Sequence, residues 1–105
     1  MLTMRKYQVA VSGEAQRMLK DHVFFLATVN PDAAERLRKT IVEQIRGLET
    51  MPERYPYLEP DDRRSPYRKM VVQKRYIVIY MVVADTVYVE YVVDGRQDYQ
   101  WLLNT

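Results

Sequence analysis

Residues 67–93 read YRKMVVQKRYIVIYMVVADTVYVEYVV, and the interpretation of this run decides the fold. Aromatic and β-branched residues dominate it, and the pattern predicts three strands at 67–72, 75–83 and 86–93, with Ala84 and Asp85 as a tight turn between the last two. The middle run is apolar on both faces, Ile77, Ile79 and Met81 on one and Tyr76, Val78, Tyr80 and Val82 on the other. Such a strand belongs inside its sheet. In the last run, strict alternation puts Val87, Val89, Tyr91 and Val93 on one face, which is expected to lie under a helical layer.

Working outward, the N-terminal segment RKYQVAVS alternates, with Tyr7, Val9 and Val11 apolar, and predicts a half-buried strand. Ser12 can cap a helix whose first turn holds Glu14 and whose apolar positions are Ala15, Met18, Leu19 and Leu26, with His22 on or beside that stripe. A second helix starts at Asn30 and Pro31, carries Ala34, Leu37, Ile41, Ile45 and Leu48 on one stripe, and is stopped by Pro52. The short linker between the two helices predicts an antiparallel hairpin. The order is therefore strand, helix, helix, strand, strand, strand: an α+β arrangement of one sheet and one helical layer, read as a single domain over residues 1–105.

Composition limits the chemistry. There is no cysteine, hence no disulfide, thiol nucleophile or thiolate metal site, and a reducing, cytoplasmic setting is expected. The first residues lack the apolar core of a signal peptide and no run is long enough to span a membrane. One histidine cannot supply a metal site or a Ser-His-Asp triad, and no glycine-rich phosphate loop is present, so neither metal nor other cofactor is expected. A net charge of +2 is too small to argue for nucleic acid by itself, but Arg63, Arg64, Arg68, Lys69, Lys74 and Arg75 cluster against only Asp61 and Asp62. Nine tyrosines suit a sheet with a face that meets a partner, although tyrosine also favours strands for its own sake.

Two further segments stand out. The run MPERYPYLEPDDRRSP, residues 51–66, has four of the five prolines and no periodicity, and a loop of that length in a small domain tends to be functional or ordered by a partner. The last predicted strand runs into Gly95, Arg96, Asp98 and Tyr99. RNA cleavage needs only a proton acceptor, a proton donor and cations, because the 2′-hydroxyl is the nucleophile. Arg68, Lys69, Arg75, Arg96 and Tyr99 could form such a cluster if the hairpin turns and the end of the last strand come together.

The run from Tyr67 through Leu103, with the opening strand, the helix hairpin and LETMPERYP, resembles the RelE/ParE superfamily of type II toxin-antitoxin toxins, especially plasmid-stabilisation toxins. Its most specific parts are Tyr67, Arg68 and Lys69, the strand from Tyr76 to Tyr80, and Gly95, Arg96, Asp98 and Tyr99. The resemblance implies a mainly antiparallel four-stranded sheet against the hairpin and a growth-inhibiting toxin neutralised by a cognate antitoxin. RelE-like members cut messenger RNA on the ribosome, whereas ParE-like members bind gyrase. This chain departs from the nuclease pattern. Ile77 stands where RNA-cleaving members carry an arginine, Met70 replaces a lysine, Arg96 is followed by Gln97 instead of a second cation, and Asp94 or Gly95 takes the place of a histidine.

The leading expectation is thus a toxin that binds a macromolecular target, gyrase or the translation machinery. A ribosome-dependent mRNA endonuclease and a non-toxic antitoxin-binding module are the alternatives. Arg68, Arg96 and Tyr99 are the candidate catalytic residues, and with Lys69, Lys74 and Arg75 they make up the candidate target surface. Tyr55, Tyr57, Trp101 and Leu102 are the candidates for antitoxin contact, Trp101 and Leu102 also being able to fold back on the protein's own core. A homodimer is left open.

Overall fold

The computed structural model describes residues 6–62, 64–97 and 99. Six principal elements follow in chain order: β1 (Gln8–Val11), α1 (Gly13–Ala27), α2 (Pro31–Arg46), β2 (Arg68–Val72), β3 (Tyr76–Val83) and β4 (Thr86–Asp94). The sheet order is β1-β4-β3-β2; β1 pairs parallel to β4, and the other two pairings are antiparallel. Both caps read from the sequence form: Ser12 accepts from the Ala15 amide at 2.9 Å and Asn30 from the Ala33 amide at 3.0 Å. The α2 stripe of Leu37, Ile41 and Ile45 is buried, and with Leu48 in the following 3-10 turn it packs against Val78, Tyr80, Val87 and Val89.

One expectation about β4 is corrected. Tyr80 pairs with Val89 but Ile79 pairs with Tyr91, so Glu90 is an extra residue and the strand bulges there. Alternation restarts with the opposite phase. Val87, Val89 and Val92 point into the helix-covered core, while Val93 packs on the other face with Leu58 and Ile79, and Tyr91 lies against that second cluster. Asp94 falls in phase with Val92, pairs with Tyr76 across β3, and is buried.

The edge of β4 beyond β1 is covered by α1. The Ser12 amide donates to Val89 O (2.9 Å), Ser12 Oγ donates to the carbonyl of the bulged Glu90 (2.9 Å), and His22 Nε2 donates to Val92 O (2.8 Å). Ser12, the cap of α1, and His22 on that helix thus satisfy strand carbonyls of β4.

The proline-rich run 51–66 wraps around the β2 edge. It opens with a 3-10 turn at Pro52–Arg54, and Tyr57 bridges Arg68. Lys69 N donates to Pro56 O at 3.0 Å and Leu58 N to Tyr67 O at 2.8 Å. From below, the fully buried Tyr80 donates its hydroxyl to Pro52 O at 2.5 Å. Burial pushes that phenol up to about 12, so it stays a donor at neutral pH.

Tyr80→Phe keeps the ring in place but leaves the Pro52 carbonyl buried without its donor. The expected cost is about 1–3 kcal/mol, read as a lower urea midpoint at unchanged slope.

Candidate functional site

β2 and β3 are joined through Gln73 and Lys74, both with positive φ (54° and 58°), and Arg75 N donates to Val72 O at 3.2 Å. Both left-handed residues are formed here without glycine, and the three residues from Gln73 to Arg75 separate the paired Val72 and Tyr76. The turn delivers Arg75 to the start of β3, directly beside the end of β4. The two chains touch closely there: Gly95 N donates to Arg75 O at 2.7 Å, and a Cβ on Gly95 would lie 2.7 Å from that same carbonyl oxygen. Only glycine fits.

Asp94 is the centre of this junction. Its Oδ2 accepts from Arg75 Nε (3.2 Å) and Nη2 (2.9 Å) and from Arg96 Nη2 (3.3 Å), while its Oδ1 accepts from the Arg96 amide (3.0 Å) and Nε (3.3 Å). Burial alone would push the carboxyl up. The Arg96 amide and the two guanidinium groups outweigh it and hold the group well below the usual carboxylate range. Among the described residues, Nη1 of neither arginine has a hydrogen-bond partner.

These groups form the floor of a cleft of about 530 Å³ between the sheet end and the tip of the helix hairpin. α1 contributes His22, Phe25 and Leu26, and the inter-helix loop contributes Val29. Tyr76 joins the layers, with its ring 5.3 Å from the His22 ring and 4.9 Å from the Arg75 guanidinium carbon. The outer lip is exposed and apolar: Phe25 is 71% and Val29 79% accessible.

The residues expected to cluster do so only in part. Lys74, Arg75 and Arg96 share the sheet end. Arg68 does not: it pairs with Tyr80, four residues from Tyr76, which pairs with Asp94. The register separates them by roughly 13 Å along the strands and about 10 Å across them. The Arg68 guanidinium donates to Tyr55 O (2.7 Å) and Glu53 O (3.1 Å) and lies 4.0 Å over the Tyr57 ring, so it fastens the proline-rich run to β2. Lys69 pairs with Ile79 on the sheet face away from the helices, and Tyr99 packs against the cluster of Leu58, Ile79 and Val93 on that face. Tyr55 packs against the main core, and Tyr57 is half-exposed beneath Arg68. Trp101, Leu102 and Asp98 lie outside the described residues. Sequence reasoning missed Asp94 as an anchor and the helix wall of His22, Phe25 and Val29; the buried position of Asp94 depends on the bulge, for which the sequence carries no plain signal. Among the described residues, no group of three or more His, Cys, Asp or Glu side chains could hold a metal ion, and no helix is long and apolar enough to cross a membrane.

The family profile of the ParE toxin of type II toxin-antitoxin system, parDE, matches residues 9–99. The chain belongs to the ParE toxin family. Solved structures share its fold. A chain of the chromosomal ParDE system from P. aeruginosa superposes with a TM-score of 0.72 at 12% identity, covering 86% of this chain and 97% of that one. The RelBE2 toxin-antitoxin complex of Mycobacterium tuberculosis gives 0.63 at 21% identity over 88% and 94%, and a conserved hypothetical protein from Helicobacter pylori gives 0.56 at 11% over 87% and 97%. No curated protein sequence matches the chain. At these identities the structural likeness speaks to the fold, which is that of ParE and RelE toxins: two helices on an open four-stranded mixed sheet.

Because the Asp94 pKa is lower folded than unfolded, its stabilising effect is complete above about pH 4 and is lost as pH falls toward the depressed folded value. Asp94→Asn is expected to cost about 1.5–3 kcal/mol at neutral pH, and urea midpoints taken from neutral pH down into the acid range should fall less steeply in the variant than in the native protein.

Proposed function

We propose that this ParE-family toxin inhibits growth by binding a macromolecular target through the cleft at the hairpin tip, and that a cognate antitoxin neutralises it. The observation that carries the binding mechanism is the dispersal of the nuclease candidates. Arg68 is engaged with backbone carbonyls, Tyr99 is packed in an apolar cluster on the far face, and Arg96 stands at the sheet end. General acid–base cleavage needs its proton donor, proton acceptor and cations around one phosphate. Ile77, beside the apolar cluster of Ile79 and Val93, adds no charge where RNA-cleaving relatives place a cation.

Binding asks for less. A preformed concave surface with an apolar lip and exposed guanidinium donors is sufficient to recognise a protein partner. Gyrase and the translation machinery are the two targets to be separated by experiment. The toxin-antitoxin assemblies of the ParDE and RelBE2 relatives support an antitoxin as the neutralising partner.

Inducible expression should arrest growth, and co-expression of the cognate antitoxin should relieve the arrest. The double variant Arg75→Gln, Arg96→Gln should lose toxicity through a target affinity lowered by at least about tenfold. Toeprinting on translating ribosomes should show intact message at toxin excess, and parallel supercoiling and translation assays then name the target. Normal growth at verified expression of folded protein overturns the toxin reading; cleaved message replaces binding with the endonuclease mechanism.

A further inference from the structure

The cleft floor and lip differ in kind, and together they describe an occupant. On the floor Arg75 and Arg96 bring two positive charges and the buried Asp94 removes one, while Asp21 on the α1 side of the rim shares Arg17 (2.8 Å) with Glu14. The floor therefore keeps one unbalanced positive charge and two Nη1 groups without partners among the described residues. Neither guanidinium is free to swing, because each is tied to the same fixed carboxylate through two of its nitrogens. Donors held this way need little ordering when an anion arrives. Beside them stand Phe25, Leu26 and Val29, an apolar wall left open to water at the end of the hairpin.

We infer that this cleft recognises an acidic segment of a partner protein, one carboxylate meeting Arg75 and Arg96 while a neighbouring large apolar side chain seats against Phe25, Leu26 and Val29. The inference rests on the reading that the protein acts by binding and specifies the chemistry of the bound element. The positive charge of the floor and its two Nη1 donors select a carboxylate over a cationic segment. The amount of charge selects a peptide over a nucleic acid strand: a strand binder lines its groove with cations that follow successive phosphates, whereas this cleft has a single pair of arginines and mostly apolar walls. Its volume, about 530 Å³, suits one or two side chains rather than a long tract.

The test is selection of a displayed library of random short peptides on the immobilised full chain, followed by binding of the enriched peptides in solution. Enriched sequences should carry Asp or Glu next to a large apolar residue. Arg96→Gln and Phe25→Ser should each weaken these peptides by about tenfold or more; Phe25→Ser should do so with unchanged melting, since that side chain is exposed, whereas Arg96→Gln also takes two hydrogen bonds from Asp94 and is compared below its own lowered melting transition. Selection on Arg96→Glu should abolish the preference for acidic residues. Enriched peptides without acidic residues, peptides insensitive to both substitutions, or tighter binding of a single-stranded oligonucleotide to the same cleft would each overturn the inference. Because this readout is independent of growth, its failure beside intact growth arrest removes the proposed ligand class alone, and loss of growth arrest beside successful selection removes the toxin reading alone.

Discussion

The bulge at Glu90 is the constraint on which the rest of this structure depends. A strand without it would keep one phase from Val87 to Val93, turning Val93 toward the helices and Asp94 toward the far face. With one extra residue, Val92 closes the main core and Asp94 turns toward the helix side, where Arg75 and Arg96 reach it. A bulge disrupts the local ladder, and the free carbonyl needs a donor. Ser12 supplies it. The same hydroxyl oxygen that caps α1 donates to Glu90 O, so helix start, strand irregularity and cleft geometry are tied to one side chain.

This arrangement also explains how a chain of this size can present a preorganised polar site. A buried carboxylate is tolerated because amide and guanidinium donors occupy its oxygens. In return it restrains two long side chains whose free rotation would otherwise oppose any binding. The α1 helix contributes on both sides of this balance: His22 completes the β4 edge with its bond to Val92 O, and Phe25, one turn further on, remains open at the lip.

The opposite end of β2 uses its cation differently. Arg68 looks in the sequence like a member of the basic cluster, and its spacing from Arg75 gives no reason to separate them. In the folded chain it is held by Tyr55 O, Glu53 O and the Tyr57 ring, fastening a proline-rich run that cannot form a regular strand of its own. Tyr80 holds the same run from within the core. A cluster of like charges in sequence is thus divided between an attachment point and a surface, because the length of β2 lies between Arg68 at its start and the turn that carries Arg75.

Much of the architecture was legible in the residues alone. Caps at Ser12 and Asn30, the buried stripe of α2, the two-sided apolar character of β3 and the turn at Ala84 and Asp85 are local properties, set by periodicity and by the hydrogen-bonding needs of helix ends, and the described structure has each of them. The ordering of strands, the parallel pairing of β1 with β4 and the identity of the cationic group at the sheet end belong to the tertiary structure. They depend on register, and register is decided by which faces can be buried together and by a single inserted residue whose cost is met from a distant serine. That is why Arg96 could be singled out from its neighbours in the sequence, while its anchor Asp94 and its apolar wall on α1 emerged only once the sheet and the helices were brought together.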